Sequence, residues 1–314
     1  MTPDAGLVAL DWGTSMLRAY LFGADGAVLE RRSQPWGVMH LPSGGFAAAF
    51  ERTTGDWRAH RPALPVIAAG MVGSAQGWVR APYHACPAGV DDLAAGLVPV
   101  EGGALHVVPG VMQLDERPDV MRGEETQVVG ALDLHPRLAE RALLVLPGTH
   151  AKWVRVADGR LDAFATYMTG ELFAVLRDHS ILGRAARATS AADPAAADAA
   201  FARGVLAARD AASGVAPLLF GARALPLLGW LAPEAGLDYL SGLLIGDELR
   251  CGLADGAERL ALVGDGALCR RYAAALRLFG LEDVPVIEGA AEQGLWCIAR
   301  RAGLVTTPHT PVVA

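Results

Sequence analysis

Twice in this chain a buried strand runs into a turn of glycine and a small hydroxyl residue, then returns as a second strand. The first copy is Leu7-Val8-Ala9-Leu10-Asp11-Trp12-Gly13-Thr14-Ser15-Met16-Leu17-Arg18-Ala19-Tyr20-Leu21. Its return strand alternates, with Leu17, Ala19 and Leu21 on one face and Arg18 and Tyr20 on the other. The second copy is Ala142-Leu143-Leu144-Val145-Leu146, the turn Pro147-Gly148-Thr149-His150-Ala151-Lys152, then Trp153-Val154-Arg155-Val156. Such a turn can aim successive backbone N–H groups at a phosphate. A carboxylate beside it, here Asp11, can hold Mg²⁺ through water, because that ion gives up its hydration shell reluctantly. An ordinary β-hairpin has the same local pattern, and Gly-Thr recurs by chance in a chain with 37 glycines. Two lobes that each present a phosphate-cradling hairpin to a shared cleft account for both the recurrence and its spacing.

At 314 residues the chain exceeds the size at which single cores stop growing, so two lobes are expected. The boundary is placed near Pro136 to Glu140, giving lobes at 1–138 and 139–314. A net charge of −7 argues against a general nucleic-acid surface and offers no basic membrane patch. Cys86, Cys251, Cys269 and Cys297 are far apart, with no Cys-x-x-Cys, so free thiols and a reducing, cytoplasmic compartment are expected. The first apolar run has no basic stretch before it and is strand-length, which argues against a secretion signal. Val215 to Leu237 is apolar, but Pro217, Arg223, Pro226 and Pro233 interrupt it, so it reads as packed core segments and not a membrane span.

Between these landmarks the pattern predicts a third strand at Ala27 to Leu29, a helix over Gly44 to His60 and a buried strand over Pro65 to Ala69. Leu105 to Val108 reads as a strand. Glu124 to Leu134 reads as a helix with Val128, Val129 and Leu132 facing inwards. Helices follow at Gly170 to Leu182, Asp193 to Ala212 (Asp193 as N-cap, Pro194 at the first position) and Asp238 to Cys251. In the last of these, Gly242 and Gly246 would admit another backbone. A strand at Leu260 to Val263, a helix over Leu268 to Phe279, a strand at Val284 to Ile287 and a helix over Gly289 to Ala302 complete the pattern; Thr306 to Ala314 reads as a loose tail.

Four further groups carry chemistry. Gly264-Asp265-Gly266, between a strand and a helix, suits nucleotide docking at a helix N-terminus, although a plain tight turn looks the same. It is neither a G-x-G-x-x-G fingerprint nor a Walker loop. Glu124 and Glu125 open a helix, where acids cap favourably. The functional alternative makes one of them the base that takes a proton from an attacking hydroxyl, with Arg122 holding it ionised or binding a substrate carboxylate. Ser74, Gln76 and Trp78 follow a strand in a glycine-rich loop that suits a substrate pocket wall, Gln76 being the better polar contact and Trp78 competing as core. His150 and Lys152 stand beside the second turn, facing a phosphate or solvent; Arg18 joins the phosphate set of Gly13, Thr14, Ser15, Gly148 and Thr149.

In order and over nearly the whole chain these pieces resemble the sugar kinase, Hsp70 and actin superfamily of two-lobed ATPases. Its phosphate hairpins resemble Leu10 to Ser15 and Leu146 to His150, its adenosine turn Val263 to Ala267, and its second connecting helix Glu288 to Gly294. More narrowly, Gly70-Met71-Val72-Gly73-Ser74, Pro147-Gly148-Thr149-His150-Ala151-Lys152-Trp153, Met168-Thr169-Gly170-Glu171-Leu172-Phe173 and Ser241-Gly242-Leu243-Leu244-Ile245-Gly246 resemble the 2-dehydro-3-deoxygalactonokinases. The resemblance implies an α/β, actin-like (ribonuclease H-like) fold, each lobe a mixed sheet flanked by helices, with the active site in the interlobe cleft. It implies transfer of the γ-phosphoryl group of ATP, with Mg²⁺, to the C6 hydroxyl of 2-dehydro-3-deoxy-D-galactonate, in galactonate catabolism. A kinase of another sugar acid, or a non-metabolic ATPase switch, is the alternative. Small-molecule partners are implied, with a homodimer as an option and neither nucleic acid nor membrane. In related sugar kinases a Gly-Asp-Gln segment carries the base; here Gly123-Glu124-Glu125 stands in its place, leaving the two glutamates as alternatives. Pro147 stands where the superfamily often has Asp, which leaves Asp11 as the metal-side carboxylate.

Overall fold

The computed structural model describes residues 5–305 apart from 60, 101, 104, 185–191, 255, 257–258 and 265. The chain divides into two units, one of Met1–Arg141, Val154–Phe164 and Ile287–Ala314, the other of Ala142–Trp153 and Ala165–Val286. The expected boundary at 138/139 lies beside the first crossing between them. The chain then crosses three more times, so that Val154–Phe164 and the last helix belong to the unit that holds the first strand.

The first unit opens with the predicted meander, β1 (Ala5–Trp12), β2 (Leu17–Gly23) and β3 (Val28–Gln34), paired antiparallel. Helix α1 (Gly45–Ala59) crosses to β4 (Val66–Gly70), which returns parallel to β1. This places β1 in the interior of a mixed sheet of order β3-β2-β1-β4-β7-β6. Burial on both sides is why Leu7, Val8, Ala9 and Leu10 read as an unbroken apolar run. Against the sheet, Trp12, Leu17, Leu21, Phe50, Trp57 and Val72 form one core cluster. Next come β5 (Tyr83–Ala85), α2 (Val90–Ala95), β6 (Val98–Pro99), β7 (His106–Val107), β8 (Gly110–Gln113), β9 (Asp119–Met121) and α3 (Glu124–Leu134). Strands β5, β8 and β9 make a separate small sheet that the periodicity did not predict, because each is too short to show alternation.

The second sheet has the order β12-β11-β10-β13-β14. It comprises β10 (Arg141–Leu146), β11 (Ala151–Ala157), β12 (Arg160–Tyr167), β13 (Leu260–Val263) and β14 (Val286–Ile287), with β10 and β13 parallel. The helices of the second unit are α4 (Thr169–His179), α5 (Pro194–Arg209), α6 (Gly221–Leu227), α7 (Gly236–Gly252) and α8 (Gly266–Leu278). Asp193 caps α5 as predicted, accepting from the Ala196 N–H at 3.3 Å. Gly242 and Gly246 admit α5: a Cβ on Gly242 would lie 2.1 Å from the Phe201 carbonyl oxygen, and one on Gly246 2.8 Å from that of Val205. The 215–237 stretch is packed core in part, with Ala222 and Ala235 buried and Val215, Leu218, Leu219, Leu225, Leu231 and Leu237 packed against the same cluster, but its other large apolar side chains face out. Phe220 is 60% exposed and Trp230 66%, because α6 and its flanking turns lie at the surface of the unit.

The last helix, α9 (Ala290–Arg301), returns to the first unit and docks on α3. Gly130 and Gly294 make that docking close: a Cβ on Gly130 would meet the Ala290 carbonyl oxygen at 1.9 Å, and one on Gly294 that of Thr126 at 1.8 Å. The inward face of α3 is therefore Val128, Gly130 and Ala131, not the predicted Val128, Val129 and Leu132. Val129 and Leu132 instead line a surface cavity. The 306–314 tail lies outside the described residues.

Candidate active site

The first cluster is built on the end of β1. Asp11 closes that strand with Arg18 opposite it on β2 and Ala69 beside it on β4. Arg18 Nη1 donates to Asp11 Oδ2 at 3.1 Å. Burial nevertheless holds the Asp11 carboxyl above its ordinary pKa. Arg18 opposes the shift, and the negative charges of Glu124 and Glu292 add to it. The turn that follows is braced through its carbonyls, Val38 and Met39 N–H donating to the carbonyl oxygens of Gly13 and Thr14 at 3.1 Å each. A Cβ on Gly37 would meet the Thr14 carbonyl at 2.3 Å, so only glycine lets this loop support the turn. Thr14 and Ser15 are left exposed at its tip.

Two glycines bring the acid pair to the same place. Gly70 ends β4 at φ +95° and Gly123 precedes α3 at φ +109°, a region favourable only to glycine. A Cβ on Gly123 would lie 3.2 Å from Gly70 Cα, and one on Gly70 2.8 Å from the Trp12 carbonyl oxygen. The ends of β1 and β4 and the start of α3 thus stack backbone on backbone. Glu124 there is half-buried, and its Oε2 accepts from the Arg122 N–H at 3.1 Å. Glu125 is 0% exposed, with both carboxylate oxygens on the Gly123 N–H at 2.8 and 2.7 Å. Burial, with the Glu124 charge adding, pushes its pKa up to about 7 against those hydrogen bonds. A ligand in water can reach Glu124; Glu125 is enclosed. Glu292, in the first turn of α9, carries a charge that raises both Asp11 and Tyr20, and it binds Arg31 at 3.2 Å. Sequence reasoning missed it, because only the docking of α9 on α3 brings it to the end of β1.

The neighbouring loop is partly structural. Arg122 Nη2 donates to the Ala81 carbonyl at 2.8 Å, and its guanidinium carbon lies 4.3 Å from the Tyr83 ring centroid. Its Nε and Nη1 are enclosed with no acceptor among the described residues, and a Cβ on Gly73 would lie 2.9 Å from Nη1. Ser74 is buried and its Oγ accepts from the Gln76 N–H at 3.3 Å, while Gln76 is exposed. Trp78 stacks on Phe46 with ring centroids 6.0 Å apart and meets Trp12 and Phe50 edge-on, so its ring serves the core of this unit.

The second cluster lies within the other unit. Thr149 and His150 are exposed in the turn between β10 and β11. Helix α4 starts against that turn: the Glu171 N–H donates to the Thr149 carbonyl at 3.0 Å, and a Cβ on Gly170 would lie 2.4 Å from the Gly148 carbonyl oxygen. His150 Nε2 is hydrogen-bonded to Glu171 Oε2. Lys152 is buried and donates to the His150 carbonyl at 3.1 Å, bracing the turn from beneath. Glu248, buried on α7, accepts from Trp153 Nε1 at 2.8 Å and from the Tyr272 hydroxyl at 2.7 Å. Its pKa is raised by burial and opposed by those donors and by Thr169.

Above this network lies a cavity of about 260 Å³, bounded by Gly148, Thr169, Gly170 and Phe173 on one side. Leu237, Asp238, Ser241, Leu244 and Ile245 of α7 and Leu268, Arg271 and Tyr272 of α8 complete its wall. Gly264, at φ +139°, and Gly266 flank the start of α8; Asp265 lies outside the described residues. Asp238, Ser241 and Arg271 were not predicted as site residues, since nothing local marks them until α7 and α8 are packed together.

The profile of the family described as 2-keto-3-deoxy-galactonokinase matches residues 11–298. A protein of Rhizobium meliloti (strain 1021) named as a 2-dehydro-3-deoxygalactonokinase is 40% identical over 96% of this chain and 98% of its own length. The 2-dehydro-3-deoxygalactonokinase of Escherichia coli (strain K12) is 37% identical over 94% of this chain and 98% of its own. The crystal structure of a protein from Sinorhizobium meliloti described under that same enzyme name superposes with a TM-score of 0.84 at 37% identity, over 94% of this chain and 98% of that one. Component A of the (R)-2-hydroxyglutaryl-CoA dehydratase of Acidaminococcus fermentans superposes with a TM-score of 0.52 at 12% identity, over 95% and 98% of the two chains, a likeness of fold alone. The architecture is accordingly the α/β fold of the actin-like ATPases, with mixed sheets flanked by helices. Matched over nearly its whole length by the family profile and by both curated relatives, the chain belongs to the 2-keto-3-deoxy-galactonokinase family.

Proposed function

We propose that this chain transfers the γ-phosphoryl group of ATP to the C6 hydroxyl of 2-dehydro-3-deoxy-D-galactonate. The observation that carries the proposal is the Gly70–Gly123 contact, which sets Glu124 and Asp11 together at the end of β1. Phosphoryl transfer asks chiefly for positioning and for neutralisation of charge on the phosphate oxygens. Each unit by itself carries a glycine turn whose backbone N–H groups suit a phosphate, Gly13 to Ser15 in one and Gly148 to His150 in the other, the latter aided by the N-terminal end of α4. Glu124 accepts the proton that leaves the acceptor hydroxyl, since it is the accessible member of the acid pair. Glu125 fixes the first turn of α3 through the Gly123 N–H. Arg18, half-exposed and already on Asp11, is in reach of phosphate oxygens there. Gln76 and the loop at Ser74 supply polar contacts to the sugar acid, and Arg122 holds that loop in place and adds positive charge beside the acids.

The donor chemistry fits Mg²⁺. Asp11 has a raised proton affinity with two further carboxylates adding to it, which a bound cation relieves. Among the described residues no three metal-ligating side chains converge. That suits an ion that a single carboxylate, Asp11, would hold through water. Bound Mg²⁺ supplies charge neutralisation on the phosphates; Asp11 is the residue to hold it.

The deciding experiment is a coupled assay of the purified protein with Mg·ATP across a panel of sugar acids, with mass-spectrometric identification of the phosphorylated product. A phosphate on C6 of 2-dehydro-3-deoxy-D-galactonate is the expected result. ATP consumption that needs no sugar acid, or a clear preference for another acceptor, overturns the assignment.

A further inference from the structure

We infer that Asp238 and Arg271 form a fixed acceptor–donor pair that selects adenine, by taking the 6-amino group on Asp238 and a ring nitrogen on Arg271. The inference rests on the kinase proposal for the nucleotide's identity and deepens it by naming what reads the base. The cavity that holds the pair is walled by Leu237, Leu244, Ile245, Leu268 and Phe173, surroundings that suit a flat aromatic ring better than a polyhydroxylated ribose. Gly148 at its rim belongs to the second phosphate turn, so a nucleotide lying in the cavity has its phosphates where backbone N–H groups await them.

Within those walls the polar groups are not equivalent. Tyr272 is committed to Glu248, its hydroxyl donating at 2.7 Å. Thr169 is tied to the same carboxylate. Arg271 is held on three sides: its Nε donates to Ser241 Oγ at 3.1 Å, its Nη2 to Asp238 Oδ1 at 2.8 Å, and its guanidinium carbon lies 4.3 Å from the Phe201 ring centroid. That fixes the guanidinium plane and leaves Nη1 and Asp238 Oδ2 with no hydrogen-bond partner among the described residues. One donor and one charged acceptor, side by side and pre-oriented, match the edge of adenine, which offers an amino donor next to a ring-nitrogen acceptor. A 6-oxo purine in the same pose sets its carbonyl oxygen against the Asp238 carboxylate, so the pair rejects it as well as selecting adenine.

The test uses the whole protein and nucleoside diphosphates, whose binding needs no acceptor sugar. Calorimetry would compare ADP with purine riboside 5′-diphosphate, which lacks only the 6-amino group, and with 2′-deoxy-ADP. A hydrogen bond to a charged acceptor predicts that loss of the amino group weakens binding to the wild type by about tenfold to a hundredfold. In Asp238→Ala the same deletion should cost less than about threefold, since the partner is already gone. Equal binding of ADP and the des-amino nucleotide by wild type overturns the inference without any variant, so a poorly folding Asp238→Ala leaves it testable. An amino-group penalty that persists in Asp238→Ala also overturns it. So does a penalty for 2′-deoxy-ADP that vanishes in the variant, which would place Asp238 on the ribose. Failure of the kinase proposal reads out separately, as absence of sugar-acid phosphorylation by a protein that still binds ADP.

Discussion

Two substitutions separate the chemistry at the end of β1 from its scaffolding. Asp11→Asn keeps the shape and removes the charge that pairs with Arg18 and would face a bound Mg²⁺, so kcat should fall by about a hundredfold or more with the thermal melt unchanged. An Asn variant that turns over normally would remove Asp11 from the site. Glu124→Gln should lower kcat by about a hundredfold while leaving the affinity for ATP nearly unchanged, because the lost interaction is with the departing proton. Glu125→Gln acts on stability instead. The folded-state pKa of Glu125, about 7, lies above its unfolded value near 4.5. The native state therefore keeps a proton that the unfolded chain gives up, and wild-type stability falls as pH rises from about 4.5 to 7, by about 1.4 kcal/mol for each unit of difference. Urea titrations across that window should show a steeper fall in wild type than in Glu125→Gln, since the raised carboxyls of Asp11 and Glu248 add a fall of their own in both proteins. Equal slopes in the two proteins would mean that Glu125 is not responsible. That Glu124 and Glu125 open a helix is legible in the sequence. Which of them meets solvent is set by Gly70, Gly123 and the docking of α9, none of which is local to the pair.

At the scale of elements, the close helix pairs are where a single methyl matters most. In Gly130→Ala the added carbon would lie 1.9 Å from the Ala290 carbonyl oxygen, far inside contact distance, so α3 and α9 must move apart. Overpacking of this kind costs about 1–3 kcal/mol, against the slight gain in helix propensity that Ala otherwise brings. Gly130→Ala should therefore melt lower than wild type. It should also lower kcat, because α3 carries Glu124. An unchanged melt would show that the two helices have slack. The strand–turn–strand units, the helix starts at Glu124 and Pro194 and the glycines of α7 were all legible, since each rests on periodicity or a cap within one turn. The small β5-β8-β9 sheet and the exposed face near Phe220 and Trp230 were not, because short strands carry no period and apolar composition does not say which side is covered.

For the molecule as a whole, the expected metal is a ligand and not a structural part. Chelation with EDTA should abolish phosphoryl transfer and leave the melt of the unliganded protein unchanged, in keeping with the absence of a metal-caging cluster among the described residues. A lower melt on chelation would reveal a structural ion. Nucleotide with Mg²⁺ should raise the melt by mass action, by about 2.7 kcal/mol of stability at a hundredfold excess over Kd. By itself, the sequence determined the local chemistry: two hydroxyl-bearing glycine turns, an aspartate closing a strand, an acid pair opening a helix, and a family likeness that the profile and both relatives bear out. Those features can be read along the chain because they depend on neighbours a few positions away. Only the tertiary structure decided that Lys152 is buried beneath its turn, that Trp78 serves the core, that the last helix returns to the first strand, and that Asp238, Ser241 and Arg271 share a cavity. Each depends on which distant backbone a glycine lets approach, and on what burial leaves a polar group to bond, and neither is encoded within reach of the residue itself.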